Sequence, residues 1–192
     1  MERCVRVLAL VVLLGSGASS TRASPLRGVG PSTVSPTPVR GQAGAAIGAG
    51  KFDEPYASEF GALMLTAHGG VLFGRGVGVG LGVRVMYFHG GETMDGGIVM
   101  VPVYESTRVP VLLTPRIQGR HGFVELGVGA APGWIVDEQG QSVRGPSHVA
   151  VAFTAGLTYS DPTLRYHPEL LGGAMRIGDG RLLWVGAGLS WW

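Results

Sequence analysis

The stretch Val77-Gly78-Val79-Gly80-Leu81-Gly82-Val83-Arg84-Val85-Met86-Tyr87 sets an aliphatic residue against glycine, arginine or methionine at every second position. Successive side chains of a strand point to opposite faces, so a period of two marks β structure. The same period returns where Val149, Val151, Phe153, Ala155, Leu157 and Tyr159 interleave with small or polar residues, and again where Leu183, Val185, Ala187, Leu189 and Trp191 alternate with Trp184, Gly186, Gly188 and Ser190. The second face is the informative one. A soluble antiparallel sheet turns a polar face to water, whereas this one offers mainly glycine and alanine with an occasional ion. Glycine weakens strands and carries no solubilising group. In a narrow closed barrel the roles reverse: the outer face meets lipid and takes Val, Leu and aromatics, while the cramped inner face accepts glycine beside a few polar groups. The expected fold is all-β, an eight-stranded antiparallel up-and-down transmembrane β-barrel over residues 40–192.

Turn signals divide this region into strands near 41–51, 59–73, 77–88, 98–118, 123–135, 148–159, 164–176 and 181–192. Most reach the ~9–11 residues that cross a bilayer when tilted. Connections after strands one, three and five read as longer than those after two, four and six, as in bacterial barrels with short periplasmic turns and longer outward loops. In strand two both Phe60/Ala62/Met64 and Gly61/Leu63/Leu65 compete for the outer side. Residues 98–118 hold either two strands broken near 105–108 or one long strand reaching beyond the membrane. The even strand number of bacterial barrels favours one.

Residues 1–23 read as a secretory signal: Arg3 and Arg6 precede an unbroken apolar run over 7–14, followed by small and polar residues. Cleavage fits after Ala23 or Ser20. Residues 24–39, rich in Pro, Ser and Gly, read as an extended linker. Of the 15 basic and 13 acidic residues of the chain, Arg3, Arg6, Arg22 and Glu2 lie in the leader, so the mature chain is formally neutral and carries no case for nucleic acid. The single cysteine, Cys4, leaves as well, and with it any disulfide or thiolate chemistry. Glycine accounts for 34 of 192 residues, more than twice the ~7% of average proteins. Without a three-residue period this is not collagen, and with only 15% charged residues the chain is not a disordered one.

If the aliphatic face is outward, alternation sends Arg84, Arg116, Glu125, Arg165, His167 and Glu169 into the lumen. Unpaired charge is very costly there, and arginine can hold a carboxylate through two hydrogen bonds. The favoured reading is a plug of Arg/Glu pairs; the sharper one is a gate or proton-linked site at His167 and Glu169. Catalytic residues are not nominated. The His-x-Ser-Asn arrangement of deacylase-type barrels is missing around His68, His89, His121, His148 and His167. No metal-ligand spacing and no cofactor motif stand out, and Gly76-Val77-Gly78-Val79-Gly80 lacks the helix that a nucleotide loop requires.

The end of the chain, Gly186-Ala187-Gly188-Leu189-Ser190-Trp191-Trp192, resembles the C-terminal assembly signal of bacterial outer-membrane proteins. That pattern has a glycine, a hydrophobic residue three on, then a terminal aromatic, here Gly186, Leu189 and Trp191, with Trp192 one residue beyond. Val109-Pro110-Val111-Leu112-Leu113-Thr114-Pro115-Arg116 followed by Phe123-Val124-Glu125-Leu126-Gly127-Val128-Gly129 is similar to the fourth-to-fifth-strand hairpin of small barrels of the OmpA/OmpX/OmpW type. The resemblance implies an outer-membrane location, outer-membrane lipid and the barrel-assembly machinery as partners, and a non-enzymatic structural or surface-interaction role. Alternatives are a narrow channel or carrier of a hydrophobic ligand, a lipid-modifying barrel enzyme, and a secreted lipocalin-like barrel. Any partner of the outward loops is not named by the sequence.

Overall fold

The computed structural model describes residues 38–53, 60–74, 77–95, 100–136, 141–159 and 165–191. The expected leader, nearly all of the expected linker and Trp192 lie outside the described residues. The strands are β1 (Val39–Asp53), β2 (Phe60–Phe73), β3 (Gly78–Asp95), β4 (Met100–Arg108), β5 (Val111–Gln118), β6 (Gly122–Ala131), β7 (Gly133–Val136), β8 (Ser142–Arg144), β9 (His148–Thr158), β10 (His167–Ile177) and β11 (Gly180–Trp191). They fill eight positions in one wall. β4 and β5 both pair with β3, β6 pairs with β5 while β7 pairs with β4, and β8 and β9 follow on the far side of β7 and β6. β1 pairs with both β2 and β11, which closes the sheet into an antiparallel barrel.

The stretch expected over 98–118 is therefore one wall position, interrupted at 109–110 rather than at 105–108. Pro110 has no N–H to give to the ladder, yet its carbonyl accepts from the Met86 N–H at 2.9 Å, and the Val109 N–H donates to the Pro132 carbonyl at 2.9 Å. Bonding thus continues across the break.

Three boundaries differ from the sequence expectation. β3 runs on to Asp95 through residues expected as a loop, because β4 pairs along this overhang from Phe88↔Arg108 to Asp95↔Met100. The short β8 lies inside the expected longest loop and pairs with β7 through Trp134↔Arg144. β10 begins at His167 rather than at 164, and the tight turn expected at 160–163 lies outside the described residues. The anticipated contrast in connection length gives way to a contrast in strand overhang at one end of the barrel. That end, with 54–59, 96–99 and 137–140, is called the loop end below; the other, with 74–77 and 119–121, is the turn end. Gly74 (φ 122°) and Gly178 (φ 58°) occupy the left-handed region, which glycine enters without a Cβ penalty.

The two faces separate as the alternation requires. Val79, Val151 and Val185 are 60%, 53% and 57% exposed, in company with Leu81, Leu113, Ile117, Leu126, Leu157, Leu170 and Leu183 around the outside. A contiguous apolar girdle of this extent is far larger than the patches soluble proteins leave in water. In β2, Leu63, Val71 and Phe73 face out, while Ala62, Met64, Thr66 and His68 are buried inside.

The interior has two halves. Toward the loop end, Phe52, Met64, Met86, Phe88, Leu171, Met175, Ile177, Leu182 and Trp184 form an apolar cluster. Toward the turn end lie buried polar residues on all eight positions, among them Gln42, His68, Arg84, Arg116, Glu125, Thr158, Glu169 and Ser190. The inner-face glycines do not leave hollows, because large side chains from neighbouring strands lie over them. A Cβ on Gly48 would stand 2.9 Å from Met64 Cε, and one on Gly186 3.0 Å from the same atom. One on Gly156 would meet the Phe123 ring at 2.5 Å, and one on Gly173 would meet Trp184 Cζ2 at 3.1 Å.

Candidate functional site

The turn-end half of the lumen gathers four of the five buried Arg and Glu side chains among the described residues, the fifth, Arg108, lying on β4. Arg84 reaches it from β3, Arg116 from β5, Glu125 from β6 and Glu169 from β10, each at an even-numbered or odd-numbered position in phase with its strand's small inner residues. Arg116 and Glu125 stand directly opposite each other in the β5–β6 register. The Glu125 carboxylate is shared: Arg84 Nε donates to Oε2 at 2.9 Å with Nη2 2.7 Å from the same oxygen, and Arg116 Nη1 donates to Oε1 at 2.9 Å. Arg116 Nη2 then reaches Glu169 Oε1 at 3.5 Å, to which the Thr158 hydroxyl donates at 3.4 Å.

Further donors of both guanidinium groups are also used, while Arg84 Nη2 makes no hydrogen bond beyond its ion-pair proximity to Glu125. Arg84 Nη1 donates to Thr66 Oγ1 at 3.2 Å. Arg116 Nε donates to Gln118 Oε1 at 2.8 Å, and Nη2 also donates to that oxygen. His68 Nε2 lies 3.4 Å from Arg116 Nη1, and the Phe123 ring stacks on this guanidinium with its centroid 3.7 Å from Cζ. Two guanidinium ions thus balance two carboxylates in a space from which water is excluded, Arg84, Arg116 and Glu125 being at most 2% exposed. Such ions are tolerated only when paired and hydrogen-bonded, and the shared carboxylate achieves this for both arginines.

Of the lumen residues expected from sequence, Arg84, Arg116, Glu125, His167 and Glu169 are buried inside, and Arg165 is not. Arg165 is exposed, two residues before β10 begins, with its guanidinium 5.9 Å from the Tyr166 ring centroid. Alternation has no meaning outside a strand, and residue 165 lies in the connection. His167 is buried beside Ser190, whose hydroxyl donates to the His167 carbonyl at 3.4 Å. His68, Thr66, Gln118 and Thr158 were missed. Gln118 and Thr158 share the parity of their strands' inner residues and were legible on that ground. Thr66 and His68 depended on the phase of β2.

In β11, Gly186 is buried and Leu189 faces out, while Trp191 is half-buried and meets the Tyr166 ring edge-on at 6.2 Å between centroids. The strand they belong to completes the wall, from Ala43↔Trp191 on one side to His167↔Ser190 on the other. Among the described residues, no three His, Cys, Asp or Glu side chains converge as a metal site would require.

A closed eight-position antiparallel wall is the architecture of small outer-membrane barrels. Neisserial surface protein A has this fold and superposes with a TM-score of 0.53 at 11% identity, over 80% of this chain and 98% of its own. The attachment invasion locus protein Ail of Yersinia pestis is also similar. In complex with the heparin analogue sucrose octasulfate it gives a TM-score of 0.46 at 14% identity, covering 79% of this chain and 97% of its own. In a phospholipid bilayer nanodisc it gives 0.46 at 18%, covering 79% and 100%. No family model and no curated protein matches the sequence.

Proposed function

We propose that this chain is an integral barrel of a bacterial outer membrane, exported by the leader at 1–23, with a closed lumen and a structural or surface-interaction role rather than an enzymatic one. The observation that carries the reading is the Arg84–Glu125–Arg116–Glu169 chain, which crosses the lumen from β3 to β10 with its charges balanced. An eight-position barrel encloses space that side chains just fill, and here the ions fill one half while an apolar cluster fills the other. The overhang of β3 and β4, continued by β7 and β8, rises past the apolar girdle and supplies the surface for contact outside the membrane. Its exposed features include Val143 and the His89 ring, whose Nδ1 lies 3.0 Å from Thr107 Oγ1.

Gly186, Leu189, Trp191 and Trp192 act during biogenesis as the segment recognised by the barrel-assembly machinery, since an extended strand can be read by addition to a sheet edge. Trp191 then serves the interfacial girdle, where an apolar ring with one N–H is well placed.

Planar-bilayer recording on the purified barrel tests the closed lumen. Silence is the expected result, and steady single-channel steps overturn it in favour of a narrow channel. Unchanged lipid A mass spectra from cells with and without the protein are expected for a non-enzyme; a new or missing acyl group indicates the lipid-modifying alternative.

A further inference from the structure

Charge is divided unevenly between the two ends of the barrel. Outside the leader and the linker, nine acidic and five basic residues belong to the loop end and its overhang. The lumen holds two of each sign, and the turn end carries Arg40, Arg75, Arg120 and Arg165 against Asp161 alone. The cations are also kept differently. At the loop end Arg176 Nη2 lies 3.5 Å from Asp179 Oδ1, and Arg181 stands opposite Asp53 in the β1–β11 register. At the turn end Arg120 and Arg165 are exposed and Arg40 is half-buried, with no exposed carboxylate beside them among the described residues. Glu125 and Glu169 are buried in the lumen and already hold Arg84 and Arg116.

Local structure fixes these three arginines at the rim. Arg120 sits on the β5–β6 turn, where the Gly119 N–H donates to the Gly122 carbonyl at 2.8 Å and Gln118 Nε2 donates to the Gly119 carbonyl at 3.1 Å. The Arg165 guanidinium lies 5.9 Å from the Tyr166 ring centroid, and that ring meets Trp191 edge-on. Arg40 follows Pro38, whose carbonyl accepts from the Gly74 N–H at 3.2 Å, and its Nε has no hydrogen-bond partner. The three stand at separate places round the mouth: the start of β1, the β5–β6 turn and the connection into β10. They do not converge on a point, as the residues of a small-anion site would. Fixed cations spread round a rim suit an extended partner with many spaced anions.

We propose that the turn end is a docking face for peptidoglycan, with Arg40, Arg120 and Arg165 holding carboxylates of its stem peptides. The inference rests on the outer-membrane reading above, which puts the turn end in the periplasm. The layer beneath the membrane there is a sheet that bears free carboxylates at repeated intervals. A guanidinium takes a carboxylate through two parallel hydrogen bonds. One exposed ion pair contributes little, but a sheet lying parallel to the membrane meets all three places at once, and contacts on one rigid rim reinforce one another.

The test uses the mature chain folded in nanodiscs of phosphatidylcholine, mixed with purified sacculi that are then pelleted. The barrel is expected to pellet with the sacculi at low salt and to be released at high salt, where exposed charges are screened. Arg120→Gln and Arg165→Gln should each weaken binding roughly two- to fivefold, as for single exposed ion pairs. Arg120→Glu combined with Arg165→Glu should leave the barrel in the supernatant, and Arg176→Gln at the loop end should change nothing. Sacculi whose carboxyl groups are capped as amides should retain no barrel. The proposal is overturned if the unmodified barrel does not pellet, if capped sacculi retain it equally, or if the turn-end variants bind as well as the unmodified protein. Pelleting abolished when phosphatidylglycerol replaces part of the nanodisc lipid assigns the arginines to lipid headgroups and overturns it too. A heat-dependent gel shift certifies the fold of each variant. Carbonate extraction from cells tests the membrane reading separately: carbonate-soluble protein sinks that reading, whereas a folded, membrane-held barrel that ignores sacculi sinks only this one.

Discussion

Glu125 is the residue on which the lumen turns, because each of its oxygens holds a different arginine. Removing it strands the Arg84 guanidinium in a buried space and leaves Arg116 with Glu169 alone, and breaking a buried pair in this way costs about 3–5 kcal/mol. Glu125→Ala is therefore expected to lower the urea midpoint of the barrel refolded into lipid vesicles, followed by tryptophan fluorescence, by more than any single change on the outer wall. Arg84→Met combined with Glu125→Leu leaves Arg116 with Glu169 and removes the orphaned charge. The double variant should unfold closer to the unmodified protein than Glu125→Ala does, since replacing a buried ion pair by apolar residues is often neutral. Gly48 makes a different residue-scale prediction. A Cβ there would press on the Val185 carbonyl oxygen and stand 2.9 Å from Met64 Cε, so Gly48→Val should cost about 1–3 kcal/mol through overpacking in the same assay.

At the scale of the element, β11 presents both surfaces in one strand: Leu182 and Trp184 buried, Leu183 and Val185 exposed. A cation on the outer face is penalised by depth, at about 2–4 kcal/mol near the bilayer midplane and less toward the interfaces. Val185→Arg is expected to destabilise the barrel in vesicles, while Leu183→Arg, one row from Arg176 and Arg181, should do so less; equal effects would contradict the proposed depth of these rows. The same alternation made the wall positions and the outward faces of β3, β9 and β11 legible in the sequence. It did not fix the phase of β2, because the lumen near Met64 is as apolar as the outside near Leu63, and a strand between two greasy environments loses its contrast. It misplaced Arg165 by extending a strand pattern into a connection. The overhang at Gly90-Gly91-Glu92 was hidden for another reason: it is strand only because β4 lies beside it, a long-range condition that local composition does not encode.

For the whole molecule, the girdle decides behaviour in solution. Contiguous exposed aliphatics on every wall position make a water-soluble monomer untenable. The protein should resist carbonate extraction and migrate differently on SDS gels before and after boiling; an unshifted band from carbonate-soluble protein would support the secreted alternative instead.

The division of the interior has a further consequence for permeation. An ion arriving from the loop end must pass an oil-like stopper of methionine, phenylalanine and leucine before it reaches the Arg/Glu pairs, and one arriving from the turn end meets those pairs first and the stopper behind them. The two barriers stand in series. Loss of a single arginine or glutamate should therefore weaken the barrel without making it leak, and a conducting form should demand that the greasy stopper be carved away as well.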